Sequence, residues 1–179
     1  MSGESLYRRL LGPDFDRLPE ALRRFHGAAD GGVGAGVVDV RVGARPWTRM
    51  LARVLGLPPG GDRVPVTVRV RRVGDREIWD RAFGASRLRS VQWLEHGRLR
   101  ERVGVLTFAF DVSADERGMR FRFVELTVFG IRVPPRLSLH VDADATAGGG
   151  DWHVSVAVRT PRRRLITSYQ GRIVPSPAT

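Results

Sequence analysis

From residue 64 to residue 174, apolar and polar side chains alternate with a period of two, and most of the alternating stretches are separated by turns too short to hold a helix. Val64, Val66, Val68 and Val70 alternate with Pro65, Thr67, Arg69 and Arg71, and Gly74-Asp75 turns the chain into I-W-D-R-A-F at 78–83. The pattern returns in R-L-R-S-V-Q-W-L-E at 87–95, in Leu106 to Val112, in Met119 to Phe123, in Leu137 to Ala145, in Trp152 to Val158 and from Arg164 to Val174. A period of two is the signature of a strand with one buried face. Parallel neighbours would need crossover connections of roughly a dozen residues or more, so these strands pair antiparallel. A meander this long curls on itself or closes.

The first quarter follows the helical period instead. Leu6, Leu10 and Leu11 form a short stripe ended by Gly12-Pro13. Leu18, Ala21, Leu22 and Phe25 fall on one helix face, with Pro19 in the first turn and Gly27 at the end. Trp47, Met50, Leu51, Val54 and Leu55 repeat the spacing in a third helix that starts near Pro46 and stops at Gly56. V-V-D-V-R-V at 37–42 reads as a strand, and the preceding glycine-rich stretch as a flexible connector. The expected fold is therefore α+β: short N-terminal helices packed on a strongly curved, mostly antiparallel sheet of about eight strands, a barrel or half-barrel. Residues 1–179 suit a single domain, with a disordered tail at about 175–179.

Composition narrows the setting. There is no cysteine, so neither a disulfide nor a thiolate metal site can form. The stretch M-S-G-E-S-L-Y-R-R-L-L lacks the long apolar segment of a signal peptide, and no apolar run approaches membrane-spanning length, so the cytoplasm is the expected location. All 30 basic residues are arginine; lysine and asparagine, both read from AT-rich codons, are absent. That bias points to a high-GC bacterial genome and makes part of the net charge of +11 compositional. R162-R163-R164 reads as a solvated turn, and without a basic tract interleaved with aromatics nucleic acid is an unfavoured partner.

Several motifs fail on context. G-G-V-G-A-G at 31–36 precedes a strand, whereas a dinucleotide loop follows one and opens a helix. A phosphate loop ending in lysine is impossible. His26, His96, His140 and His153 lack metal-ligand spacing, and the expectation is no metal and no cofactor. His140 and His153 are expected to form a surface pair across the turn at 148–150. His26 ends the second helix, either as a helix-terminal cation or as an acid/base at a barrel mouth.

Strand parity raises the functional question. It groups Arg81 with Trp79 and Phe83, Arg102 with Leu106, Phe108 and Phe110, and Glu125 with Met119, Phe121 and Phe123. Charges on apolar faces need partners, because desolvation costs several kcal/mol or more. Either Arg81 or Arg102 pairs with Glu125 inside the sheet, or the interior is a pocket whose charges face a ligand. A bulge would shift parity and turn any of them outward.

The stretches L-Y-R-R-L-L-G-P-D-F-D-R-L-P-E-A-L-R-R-F-H-G at 6–27, G-L-P-P-G-G-D-R-V-P-V-T-V at 56–68, W-D-R-A-F at 79–83 and G-R-L-R-E-R-V-G-V-L-T-F-A-F at 97–110 resemble an uncharacterised bacterial family, domain of unknown function 4166. The resemblance runs from about Leu6 to Pro175. It implies no catalytic residue, and, through family members attached to dehydrogenase-like partners, it implies a setting in small-molecule metabolism.

The reading that joins these observations is a binder of a hydrophobic small molecule, lipid- or polyketide-like, with an anionic or polar end. Trp79, Arg81, Phe83, Arg102, Phe108, Phe110, Phe121 and Phe123 would hold it. The alternatives are a cofactor-independent cyclase, isomerase or dehydratase with Glu101, Glu125 or His26 as catalytic group, and an interaction module for a dehydrogenase-like protein.

Overall fold

The computed structural model describes residues 4–28, 30–54, 58–148 and 150–176, with the side chains of Leu51 and Val54 outside that description. The chain begins with helix α1 (Leu6–Leu11), a 3₁₀ turn (Gly12–Arg17) and α2 (Glu20–Gly27). Strand β1 (Val33–Val42) and α3 (Pro46–Val54) follow. The meander is β2 (Gly61–Val73), β3 (Arg76–Phe83), β4 (Ser86–Glu95), β5 (Arg98–Val103), β6 (Leu106–Asp115) and β7 (Gly118–Val128). It ends with a two-residue arm β8 (Ile131–Arg132), β9 (His140–Gly148), β10 (Asp151–Arg159) and β11 (Leu165–Pro175).

Each hairpin pairs sequence neighbours antiparallel, β11 returns to β1, and β6 pairs with β7. The sheet is thus a closed barrel of ten strands, with β8 appended to β7. Closure leaves no long sheet edge to template aggregation. About eight strands were expected. The difference lies in β1, read apart from the meander, and in β5, whose R-L-R-E-R-V hides its alternation behind charge.

The glycine-rich stretch is part of the wall rather than a flexible connector. β1 starts at Val33, and Gly36 and Gly171 lie where β1 and β11 press together. A Cβ on Gly36 would sit 1.9 Å from the Arg172 carbonyl oxygen, and one on Gly171 would sit 2.1 Å from that of Val37. Only glycine permits this approach. The tail expected to be disordered from 175 is paired to its penultimate described position: Gly34 faces Pro175, and the Ser176 amide donates to the Val33 carbonyl. Residues 177–179 lie outside the described residues.

The helices before β1 seat on one end of the barrel. Ser5 caps α1 by accepting from the Arg8 amide. Leu6, Tyr7 and Leu11 of α1, Phe15 of the 3₁₀ turn, and Leu22, Phe25 and His26 of α2 are buried. Arg9 donates to the Asp75 carbonyl at the β2–β3 turn, and Arg17 pairs with Glu116 at the β6–β7 turn at 3.9 Å. The opposite end carries the β1–β2 connection with α3 and the turns β3–β4, β5–β6 and β10–β11. Among the described side chains of α3, Thr48 and Ala52 are buried, whereas Trp47 and Met50 of the expected apolar stripe are exposed. Leu55 and Gly56 of that helix reading lie outside the described residues.

Candidate functional site

Inside the barrel is a cavity of about 160 Å³, reaching from Tyr7 and His26 of the helical cap to Leu106 and Val158 near the other end. Its wall is apolar for most of its extent, with Val68, Phe83, Phe108, Phe110 and Phe121 among the lining residues.

Three neighbouring strands place one polar cluster on that wall. The register sets Trp79 of β3 opposite Ser90 of β4, and Gln92 of β4 opposite Glu101 of β5. Arg81 lies two residues beyond Trp79 and so shares its face. Its Nη1 donates to Ser90 Oγ at 2.9 Å, and Nη1 and Nη2 both donate to Glu101 Oε1, at 3.2 and 3.1 Å. Ser90 Oγ also donates to Glu101 Oε1, at 2.6 Å. The guanidinium lies 4.8 Å above the Trp79 ring. The two side chains are 13% and 17% exposed, so the pair sits in a low-dielectric setting where each charge depends on the other. Burial opposes the Arg81 cation, but Glu101 outweighs it, and the guanidinium pKa is raised. Tyr169, packed on Phe83 at 5.2 Å, has its hydroxyl pKa raised by burial. Among the described residues, neither Glu101 Oε2 nor the Tyr169 hydroxyl has a hydrogen-bond partner.

Under the cap, the Tyr7 hydroxyl donates to Gln92 Oε1 at 2.9 Å, and burial raises its pKa well above the ordinary tyrosine value. Glu77 is buried, accepts from the Trp79 indole at 3.2 Å, and has its pKa raised by desolvation. His26 is packed against Tyr7 at 4.2 Å, Phe25 at 5.1 Å and Trp79 at 5.7 Å. Burial lowers its pKa to about 3. It is therefore a neutral imidazole, which overturns its reading as a helix-terminal cation. Its Nδ1 and the Trp152 indole nitrogen are buried without a hydrogen-bond partner among the described residues.

Trp79, Arg81, Phe83, Phe108, Phe110 and Phe121 line the cavity with Glu101 and His26. Phe123 is not among the lining residues; it is half-buried on the same face, 6.3 Å from Phe110 and 6.0 Å from His140. Two parity assignments were wrong. Arg102 is exposed, on the outer face, because the Gly104-Val105 turn pairs Val103 with Leu106 and so exchanges odd and even positions between β5 and β6. Glu125 is turned outward by a bulge: Ala109 faces Glu125 while Phe110 faces Phe123, leaving Val124 as the extra residue. There it pairs with Arg100 at 2.5 Å and Arg132 at 3.2 Å, and hydrogen bonding to Arg100 lowers its pKa. The internal ion pair is therefore Arg81 with Glu101, and neither arginine expected to meet Glu125 does so. His140 and His153 do not meet either, since His140 faces Arg159 and His153 faces Thr146.

Glu77, Ser90, Gln92 and Tyr169 were not singled out from the sequence. Glu77 shares the parity of Trp79 and Arg81, so extending the β3 reading by one residue finds it. Ser90 and Gln92 emerge only once the β3–β4 register is known. Among the described residues no cluster of three or more metal-ligating side chains occurs, and no helix is long and apolar enough to cross a membrane.

No curated protein matches the chain. Two solved structures are similar over 81% of it. One is a protein of unknown function of the DUF3598 family from Nostoc punctiforme PCC 73102, at 8% identity and a TM-score of 0.48, of which the match spans only 47%. The other is an abundant heat soluble (SAHS) protein from Ramazzottius varieornatus, at 11% identity and a TM-score of 0.44, with 93% of that chain covered. The sequence model of one family, described as domain of unknown function (DUF4166), matches residues 18–173, and the chain belongs to that family.

Proposed function

We propose that the barrel binds one small, largely apolar molecule whose neutral polar end meets Arg81, Glu101 and Tyr169. The observation that carries this reading is an apolar cavity with an ion pair in its wall and one carboxylate oxygen unspent. A core filled for stability alone would not retain both a void, whose lining loses dispersion contacts, and a desolvated ion pair, which hydrophobic replacement often matches or betters.

The size of the cavity sets the size of the ligand. At about 160 Å³ it is close to the roughly 150 Å³ apolar cavity that accepts benzene, and well under the roughly 300 Å³ at which sites for larger ligands begin. A single ring or short branched chain fits better than a lipid- or polyketide-like molecule. Charge sets the head group. Glu101 already matches the Arg81 cation, so a second carboxylate would be repelled, whereas a hydroxyl can donate to Glu101 Oε2 and accept from Tyr169.

Catalysis is less well supported, because Glu125 is outside the barrel and Glu101 is tied to Arg81. The cavity also favours ligand binding over a purely interactive module, which needs none. Native mass spectrometry of freshly purified protein tests the proposal. A retained neutral adduct of single-ring size that is absent from the cavity-filling variant Val68→Phe supports it, and an adduct retained equally by that variant contradicts it.

A further inference from the structure

The barrel is asymmetric along its axis, in both charge and exposed apolar surface. At the capped end and on the wall acidic side chains are interspersed with the arginines: Arg8 pairs with Asp16, Arg24 with Glu20, Arg76 with Asp75 and Arg172 with Asp151, while exposed Arg9, Arg23, Arg69, Arg102 and Arg117 have no ion-pair partner among the described residues. The opposite end differs. Its connecting segments, 43–60, 84–87, 104–105, 129–139 and 159–164, contain no aspartate or glutamate. Arg45, Arg49 and Arg53 in the α3 segment, Arg87 after the β3–β4 turn, Arg136, and the triplet Arg162–Arg164 are exposed there. Among the described residues none of these eight has an ion-pair partner.

Among the described residues, the same segments carry the most exposed large apolar side chains. Phe129 is 77% exposed, Ile131 74%, Leu137 70% and Met50 66%, with Trp47 and Val105 also out. Phe129 is at the tip of the β7–β8 arm, held at a positive φ of 50° and fixed by its amide donating to the Val105 carbonyl. A phenylalanine in that strained conformation, pointed at solvent, serves no packing need of the chain.

We propose that this end of the barrel docks on an anionic bilayer surface, with the unpaired arginines at the lipid phosphates and Phe129, Ile131 and Leu137 in the interface. Cationic and aromatic or aliphatic side chains presented together are the composition of interfacial binding. The apolar groups project from separate loops instead of forming one contiguous face. A fluid interface can accept such points individually, whereas a protein partner needs a packed core to its contact. Nucleic acid is less favoured because the aromatics do not follow the arginines in a stacking line. The inference does not depend on the cavity holding a ligand.

Co-sedimentation of the full chain with vesicles of phosphatidylglycerol and phosphatidylcholine, and with phosphatidylcholine alone, provides the test. The protein is expected on the anionic vesicles only, more weakly as salt rises. Arg162→Ala/Arg163→Ala/Arg164→Ala should lower partitioning on the order of 100-fold, at about fivefold per arginine. Phe129→Ser/Ile131→Ser, which alters only exposed positions, should also release the protein while leaving its circular dichroism unchanged. Arg24→Ala/Arg76→Ala/Arg172→Ala, an equal loss of charge at the capped end, should have little effect. Three results would overturn the proposal: no binding to anionic vesicles, an equal loss in the capped-end variant, or self-association that the Phe129/Ile131 variant abolishes without any vesicle binding.

Discussion

Arg81 and Glu101, two strands apart on the inner face, meet through a single carboxylate oxygen: both terminal guanidinium nitrogens donate to Glu101 Oε1, and Ser90 donates to the same atom. The arrangement neutralises a buried cation, and Oε2 has no hydrogen-bond partner among the described residues.

Removing one member of this pair strands the other charge in a medium that cannot solvate it. Arg81→Met and Glu101→Leu should each destabilise the fold by about 3–5 kcal/mol, and the double variant by less than either. Guanidinium chloride denaturation of the four proteins gives the coupling directly. Additive losses would mean that the pair is solvated in solution.

The two glutamates once candidates for the same role are separated by the wall. Glu125→Gln and Arg102→Ala change groups on the outer face and should leave small-ligand affinity within about twofold. Glu101→Gln should weaken it about tenfold, the worth of one hydrogen bond to a charged group. Calorimetric titration of the three variants distinguishes them, and equal losses would place the ligand outside the barrel.

His26 predicts an acid limb in stability. Its pKa is lowered from 6.5 to about 3 by burial, so the unfolded chain binds a proton that the folded chain refuses. Stability is unaffected above about pH 6.5 and falls as pH drops toward 3, by roughly 5 kcal/mol in all. Glu77 acts in the opposite sense: its raised pKa makes its contribution largest in acid and lost as pH rises through the folded value. His26→Phe should remove the first dependence. Thermal melts from pH 7 to pH 4 should therefore diverge for wild type and variant below about pH 6.5. Parallel curves would show that the imidazole is solvated.

Filling the void should abolish binding at modest structural cost. Val68 is buried and faces the cavity, so the phenyl ring of Val68→Phe can enter space that is already empty. Ligand affinity should fall at least tenfold, while stability shifts by no more than the roughly 1–3 kcal/mol of overpacking. A larger loss of stability would show that the void closes in solution.

The antiparallel meander and its inward faces are legible because period-two alternation reports burial directly, as in Val66, Val68 and Val70. Arg81, Trp79 and Phe83 come from the same rule. Parity fails where the backbone changes count. Arg102 was carried across the two-residue turn at Gly104-Val105 without the exchange of odd and even positions, and Glu125 across a bulge with no mark in the sequence. The partnership of Arg81 with Glu101 depends on the registers of two hairpins, and His26 on how a helix seats on the barrel end. Neither is a local property of the chain.

The central claim is that the barrel interior admits one ring-sized neutral molecule at the Arg81–Glu101 pair. Titration calorimetry with benzyl alcohol, benzoate and decanol against wild type and Val68→Phe tests it most directly. The account predicts that benzyl alcohol binds to the wild type, that benzoate binds at least about tenfold more weakly because Glu101 repels it, and that Val68→Phe binds none of the three. Preferential binding of decanol or benzoate, or affinity unchanged in Val68→Phe, would contradict it.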